Sequence, residues 1–302
     1  MNDKEPCTGG DLPPIEAEAQ PAEIKTFDKT PTFTALNALR YQRQVLIREI
    51  EVQNPRLLCY VAHLSAQLDR SDALGFVDLL HNVPHGEPLD LLLHTPGGDV
   101  DATEKLITML REKVGDAKLR VIVPDFAKSA GTLMALGADS IVMSDCSELG
   151  PIDPQVTLRD SNGQGIGHSI FNYLHAYEEA AQALRDNPQD PVAQTEFGRF
   201  DPTTVKKYEM IRERTRTFAE KLLIPRGLNH TKITSQLLDI RSYPSHGQMI
   251  GWEEAQNLGL VIEYKPMTDR TWRQYWALYC HLRLAIESGQ RIFESDYVSL
   301  IM

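Results

Sequence analysis

The stretch VIVPDFAKSAGTLMALGADSIVMS, residues 121–144, decides how this chain is read. It begins as an unbroken apolar run within KLRVIVP (118–124), passes through a short polar turn, and continues as a helix-like segment of small and apolar residues. It closes on a second apolar run in DSIVMS (139–144). Uninterrupted apolar strands separated by a helix point to a parallel sheet covered on both faces. Ser129 falls where the first strand has ended and the helix begins, with only Ala130 and Gly131 beside it. Serine is among the best helix N-caps. The same place, at the positive end of a helix with free N–H groups, also suits a nucleophile whose attack creates negative charge. The residues alone leave both readings open.

Working outward, the alternation repeats. LDLLLHT (89–95) reads as a buried strand, followed by Pro96-Gly97-Gly98 and a helix from DVDATEKLITMLREKVG. RLLCYVA (56–62) is an earlier strand, and SDALGFVDLLHNV a helix capped by Ser71 or Asp72. A helix precedes them in TALNALRYQRQVLIREIEVQ (34–53). Residues 161–202 are polar and irregular apart from a helix near FNYLHAYEEAAQALRD. Further helices follow in 203–223, in ITSQLLDIR, in the short GWEEAQNLGL and in the aromatic tail TWRQYWALYCHLRLAIES. Two adjacent glycines at a strand-to-helix turn let the backbone approach a ligand and turn amide N–H groups outward. The plain alternative is a tight turn with no further role. Neither a GxGxxG fingerprint nor a P-loop lysine accompanies it. In a parallel sheet successive strand C-termini line one crevice, so Gly98 and Ser129 are expected to face the same space.

Bulk properties exclude several classes. At 302 residues, 42% hydrophobic and 24% charged, the chain can bury a sizeable core. A net charge of −11 with no basic stripe argues against nucleic acid as a partner. The four cysteines are scattered without a CxxC pair, which fits reduced thiols. His81 and His85 are separated by Pro84, and no Glu follows His81, so an HExxH metal site is excluded; no metal and no cofactor are expected. The start lacks the basic and apolar regions of a signal peptide, and no run approaches the roughly 18 apolar residues of a membrane span. These features predict a cytoplasmic protein. Residues 1–30, acidic and Pro-rich, are expected to be disordered. The main domain is expected over 31–265 and a helical tail, a candidate oligomer interface, over 266–302.

Three blocks together resemble a known family: LLLHTPGGDVDATEKLI, VIVPDFAKSAGTLMALGADSIVMSDCSELGPIDPQ and HGQMIGWEEAQNLGLV. They are similar to the Clp-protease/crotonase superfamily, and more narrowly to the serine dehydrogenase proteinases, relatives of signal peptide peptidase A and the NfeD-type proteases. The resemblance implies an α/β fold of ClpP/crotonase-like stacked ββα units with flanking helices, rather than a doubly wound sheet. It implies a homo-oligomeric serine peptidase acting on peptides or unfolded protein segments. By motif, Ser129 matches the nucleophile, and Gly98 and Ala130 the oxyanion-hole amides that stabilise a tetrahedral intermediate.

The general base is the open position. A serine hydroxyl needs one within hydrogen-bond reach. Clp-type subunits carry a histidine soon after the serine; here the corresponding GPIDPQ places Asp153 there, and a carboxylate of ordinary pKa is a poor base. The signal-peptide-peptidase branch uses a downstream lysine, whose pKa burial can depress. Lys221, set among Phe218, Leu222 and Leu223, and Lys207 are the candidates; as surface lysines they would be solvated charges with no such role. His246 in SYPSHGQMI is the third, or simply part of a turn. Gly97, Asp153 and His246 are expected to shape the substrate crevice, with Asp153 orienting a Lys or His. Lys128 is expected to point away from the site and to steady the SELGPIDPQ loop. Two rival readings stand beside the peptidase: an oligomeric scaffold or binding protein lacking a competent base, and a crotonase-like acyl-CoA enzyme using the same amides without a nucleophile.

Overall fold

The computed structural model describes residues 29–159, 165–239 and 241–302. The acidic segment expected to be disordered therefore lies almost entirely outside the described residues. Two units divide the chain at Ala38. In the first, Pro31 starts helix α1 (Pro31–Leu36), whose N-cap Thr30 accepts a hydrogen bond from the Phe33 N–H.

The second unit, Leu39–Met302, alternates strand and helix. Helix α2 (Ala38–Glu51) leads into strand β1 (Arg56–Ala62), helix α3 (Asp72–His81), β2 (Leu89–His94) and α4 (Val100–Val114). Then come β3 (Leu119–Ile122), the two-residue β4 (Phe126–Ala127), α5 (Ala130–Leu136), β5 (Ser140–Met143) and the two-residue β6 (Glu148–Leu149). Strands β1, β2, β3 and β5 pair in parallel and in chain order, each new strand one place further along. A doubly wound sheet reverses direction at a switch point; this parallel stretch has none. A second, smaller layer lies beside the sheet's end. β4 pairs with β6 in parallel, Thr95 bridges Ala127, Gly98 bridges Leu68, and Leu149 bridges Ile250. Long strand, short second-layer strand and helix therefore succeed one another, which is the stacked ββα arrangement. It sets the Gly97-Gly98 turn beside the Ser129 turn.

Side-chain alternation explains why the strands read as continuous apolar runs. Leu58, Tyr60, Leu91, Leu93, Val121 and Ile141 face a core shared with α3, α4 and α5. Leu57, Cys59, Val61, Leu92, Ile122 and Val142 face the opposite way, toward Ile47 and Ile50 of α2.

The middle of the chain holds more order than its polarity suggests. β7 (Gln155–Arg159) and β8 (Gly165–Ser169) form an antiparallel pair, followed by α6 (Ile170–Asp186), α7 (Pro191–Phe197) and α8 (Pro202–Leu223). Phe171, Leu174, Val205 and Tyr208 give this insertion its own small core. α9 (His230–Leu237), α10 (Trp252–Leu258) and β9 (Ile262–Tyr264) follow, β9 extending the sheet beside β5. The aromatic tail is helix α11 (Arg270–Arg283), whose Trp272, Tyr275, Leu278 and Leu282 are buried against the face lined by Leu57 and Val61. Two strands follow it, β10 (Arg291–Glu294) and β11 (Ser299–Ile301); β10 pairs antiparallel with β1. Residues 266–302 are thus built into the sheet of the same unit.

The N-cap of α3 falls on one of the two residues expected. Ser71 stands at the N-cap of α3 without a side-chain cap bond. The buried Asp72 accepts the Asp69 N–H at 2.8 Å and meets Arg291 at 3.0 Å, because β10 brings that guanidinium alongside.

Candidate active site

Ser129 occupies the turn between β4 and α5 with φ 52° and ψ −114°, the one non-glycine residue at positive φ among those described. Such a conformation costs on the order of 1–3 kcal/mol and persists only where surroundings impose it. Here the turn is tied at both ends. The Lys128 N–H donates to Thr95 O at 3.0 Å, and the Gly131 N–H to Lys128 O at 2.7 Å. The Thr132 hydroxyl lies 2.9 Å from both Ala127 O and Gly150 O. The Ser129 side chain makes no cap hydrogen bond to α5. The hydroxyl is not spent on the helix, which removes the capping role the sequence had left open.

The glycine turn comes up against it. Gly97 has φ 98°, and a Cβ there would stand 2.6 Å from Lys128 O and 3.0 Å from the Ala130 nitrogen. Gly98 has φ 154°, and a Cβ would fall 2.2 Å from Leu68 O. The bridge to Leu68 uses the Gly97 carbonyl (2.7 Å) and the Asp99 N–H (2.9 Å). The Gly98 and Ala130 N–H groups have no hydrogen-bond partner among the described residues. Asp99 then caps α4, accepting the Ala102 N–H at 2.6 Å.

A cavity of about 380 Å³ opens over this turn, bounded by Gly98, Ser129, Ile152, Gln155, Ile211 and His246. His246 arrives from the loop before α10. Its Nδ1 lies 3.7 Å from Asp153 Oδ2 and 3.4 Å from Gln155 Nε2. The Asp153 carboxylate is 9% exposed and held by Gln155 Nε2 at 2.6 Å and the Ser169 hydroxyl at 2.7 Å. A serine and an imidazole therefore share one cavity, with an oriented carboxylate next to the imidazole. Lys128 points away from it. Its ammonium pairs with Glu148 at 2.5 Å and donates to Leu149 O (3.1 Å), Gln248 O (3.2 Å) and Gly247 O (3.4 Å). One half-buried cation thereby pins strand β6 to the loop carrying His246.

The two lysines read from the sequence lie elsewhere. Lys221 is 71% exposed and paired with Glu104 at 3.2 Å. Lys207 is exposed and lines an adjoining groove rather than the Ser129 cavity itself. Gln155 and Ser169 escaped the sequence reading because they belong to the β7–β8 pair, hidden in a polar stretch. Ser169 carries a local signal nonetheless, as the N-cap of α6. Beneath the turn His94 ends β2, 1% exposed, its ring 4.1 Å from that of Phe126. Burial above all, with Arg283 and His63 adding to it, pushes its pKa down to about 3, so it is a neutral imidazole. Asp125 Oδ2 lies 3.7 Å away, but that oxygen already accepts the Tyr279 hydroxyl at 2.7 Å and is partly exposed.

Among the described residues no group of three His, Cys, Asp or Glu could hold a metal ion, and no helix is long and apolar enough to cross a membrane. Cys59, Cys146 and Cys280 are free thiols.

Comparison with known proteins bears on the geometry at this point. Residues 62–172 match the family of ClpP-like SDH-type serine proteinases. The resemblance expected from the sequence is met over that segment, which holds both glycines, Ser129 and Asp153. Two curated relatives are uncharacterized proteins of Methanocaldococcus jannaschii. One is 49% identical over 85 residues, 28% of this chain and 29% of the relative; the other is 35% identical over 157 residues, 46% and 48%. The chain thus spans less than half the length of either. Among solved structures, a mutant of the 1510-N membrane-bound stomatin-specific protease is 20% identical, covering 71% of this chain and 82% of that one, with a TM-score of 0.43. ClpP1 from Listeria monocytogenes is 11% identical, covering 76% and 96%, with a TM-score of 0.39.

Proposed function

We propose that this chain is a serine peptidase that works through an acyl-enzyme on Ser129, with His246 rather than a lysine as its general base. One observation carries the reading. Ser129, uncapped and held at positive φ, shares a cavity with Gly98 and with His246, and Asp153 stands behind the imidazole.

In the first step the Ser129 hydroxyl attacks the scissile carbonyl carbon while its proton passes to His246. The negative charge that collects on the carbonyl oxygen is stabilised by the Gly98 and Ala130 N–H groups, which are unspent beforehand and need no reorganisation. Asp153, 3.7 Å from Nδ1, offsets the positive charge of the imidazolium. Collapse expels the amine, which takes the proton from His246, and water then cleaves the ester by the same route. Substrate peptides lie extended beside the Gly98 turn by strand addition. Homo-oligomeric assembly and a cytoplasmic setting belong to the same reading.

The test is covalent labelling with a fluorophosphonate, read by mass spectrometry. The expected result is an adduct on Ser129 in the wild type and a rate at least about a thousandfold lower in His246→Gln with an intact fold. No adduct across a range of pH refutes the peptidase and leaves a scaffold. An adduct lost in Lys207→Met or Lys221→Met but kept in His246→Gln returns the base to lysine.

A further inference from the structure

A second groove, about 710 Å³, adjoins the Ser129 cavity. The two share Asp99, Val100 and Ile211 in their linings, so they lie side by side. The N-terminal end of α4 forms one side of the groove, and the exposed face of α8 forms the other. Its surface is largely apolar, with Met210, 64% exposed, the most open apolar side chain along it.

The charges around this groove are nearly all committed. Asp99 caps α4. Arg214 pairs with Asp101 at 3.2 Å and also with Glu104. Lys206 pairs with Glu209 at 3.3 Å. Lys207 is left with no acidic partner among the described residues. An apolar trough with one unmatched ammonium at its wall selects a bulky apolar side chain with a carboxylate close by. Its place beside the cavity over Ser129 says how such a group arrives, as part of an extended peptide whose scissile bond lies at the serine.

We propose that the α4–α8 groove is a substrate subsite, and that it selects peptides carrying a large apolar residue beside an acidic one on one side of the scissile bond. The inference rests on the peptidase reading for the identity of its occupant as a peptide. It also gives Lys207 a task other than that of a base, the recognition of a carboxylate.

The experiment measures binding without chemistry. Fluorescein-labelled peptides of a Gly-Ala background carry a Leu-Asp pair moved stepwise along the sequence, with Leu-Asn and Ser-Asp versions of each. Binding to the Ser129→Ala protein is followed by fluorescence anisotropy. At the placement that seats the pair in the groove, Leu-Asp binds about tenfold tighter than Ser-Asp, the value of partly burying a leucine side chain. It binds about threefold tighter than Leu-Asn, the value of one solvent-exposed ion pair. Adding Lys207→Glu reverses the Asp-over-Asn order, and adding Met210→Asp removes the preference for leucine. Both side chains are exposed, and circular dichroism confirms that the variants fold. The subsite is refuted if no placement separates the three peptides, or if Lys207→Glu leaves the Asp-to-Asn ratio where it was. Because the serine is absent, the outcome is independent of labelling. Labelling at Ser129 with no peptide preference keeps the peptidase and removes the subsite; a preference without labelling does the reverse.

Discussion

Buried beneath the glycine turn, His94 makes folding stability depend on pH in a way that can be worked out. Its pKa is about 3 in the folded protein, against about 6.5 in an unfolded chain. Between these values the unfolded state takes up a proton that the folded state refuses, so stability is full above about pH 6.5 and is lost as pH falls toward 3. The shift of about 3.5 units corresponds to roughly 5 kcal/mol at the acid limit, and at pH 5 the loss relative to pH 7.5 is about 2 kcal/mol. Other groups titrate in the same range. Asp72, pushed up to about 6 mainly by burial, works in the opposite sense. The prediction is therefore a double difference. Urea unfolding of the wild type and of His94→Phe, followed by tryptophan fluorescence at pH 7.5 and 5.0, gives four free energies. The wild type loses about 2 kcal/mol more than the variant between the two pH values. Phenylalanine keeps the packing on Phe126 and removes the titration, so a lower stability of the variant at both pH values does not disturb the test. Equal losses in the two proteins, within about 0.5 kcal/mol, would show that the folded state accommodates the charged ring and that the buried neutral imidazole is wrong.

Gly98→Ala sets a Cβ against Leu68 O in a backbone conformation that side chains rarely adopt. It lowers stability by about 2 kcal/mol in urea unfolding and slows fluorophosphonate labelling by about a hundredfold, the cost of displacing one oxyanion donor. Lys128→Met strips the ammonium from Glu148 and from the carbonyls of Leu149, Gly247 and Gln248, with a side chain only 12% exposed. It costs about 2–4 kcal/mol, and labelling at matched folded fraction slows because the His246 loop is released; unchanged labelling would separate the clamp from the site. Arg120→Met abandons Asp90, which is 0% exposed and bonded to that guanidinium at 2.6 Å. It destabilises by about 3 kcal/mol or more, and adding Asp90→Asn recovers part of the loss.

Much of the scaffold was legible because its signals are local. Each strand of the parallel sheet is buried on both faces, so RLLCYVA, LDLLLHT, KLRVIVP and DSIVMS stand out as unbroken apolar runs. The glycine pair and the serine with its small neighbours mark the two turns at which the backbone must come close. Helices α4 and α8 start at Asp99 and Asp201, which the structure shows as their N-caps. Strands β7, β8, β10 and β11 did not stand out, since short, half-exposed or edge segments carry a pattern no stronger than that of a loop.

By itself, then, the sequence determined that an α/β sheet presents Gly98 and Ser129 at neighbouring turns, because strand burial and turn chemistry are written in consecutive residues. Whether Ser129 caps its helix, and which titratable group stands near it, depended on where distant loops settle. Lys221 looked half-buried from its neighbours in sequence, yet the helix turns it outward to Glu104. His246 looked like part of a turn, yet the fold brings it to the serine's cavity, with Asp153 3.7 Å from its ring. Proximity across the fold comes from packing between segments, and no local pattern of residues encodes it.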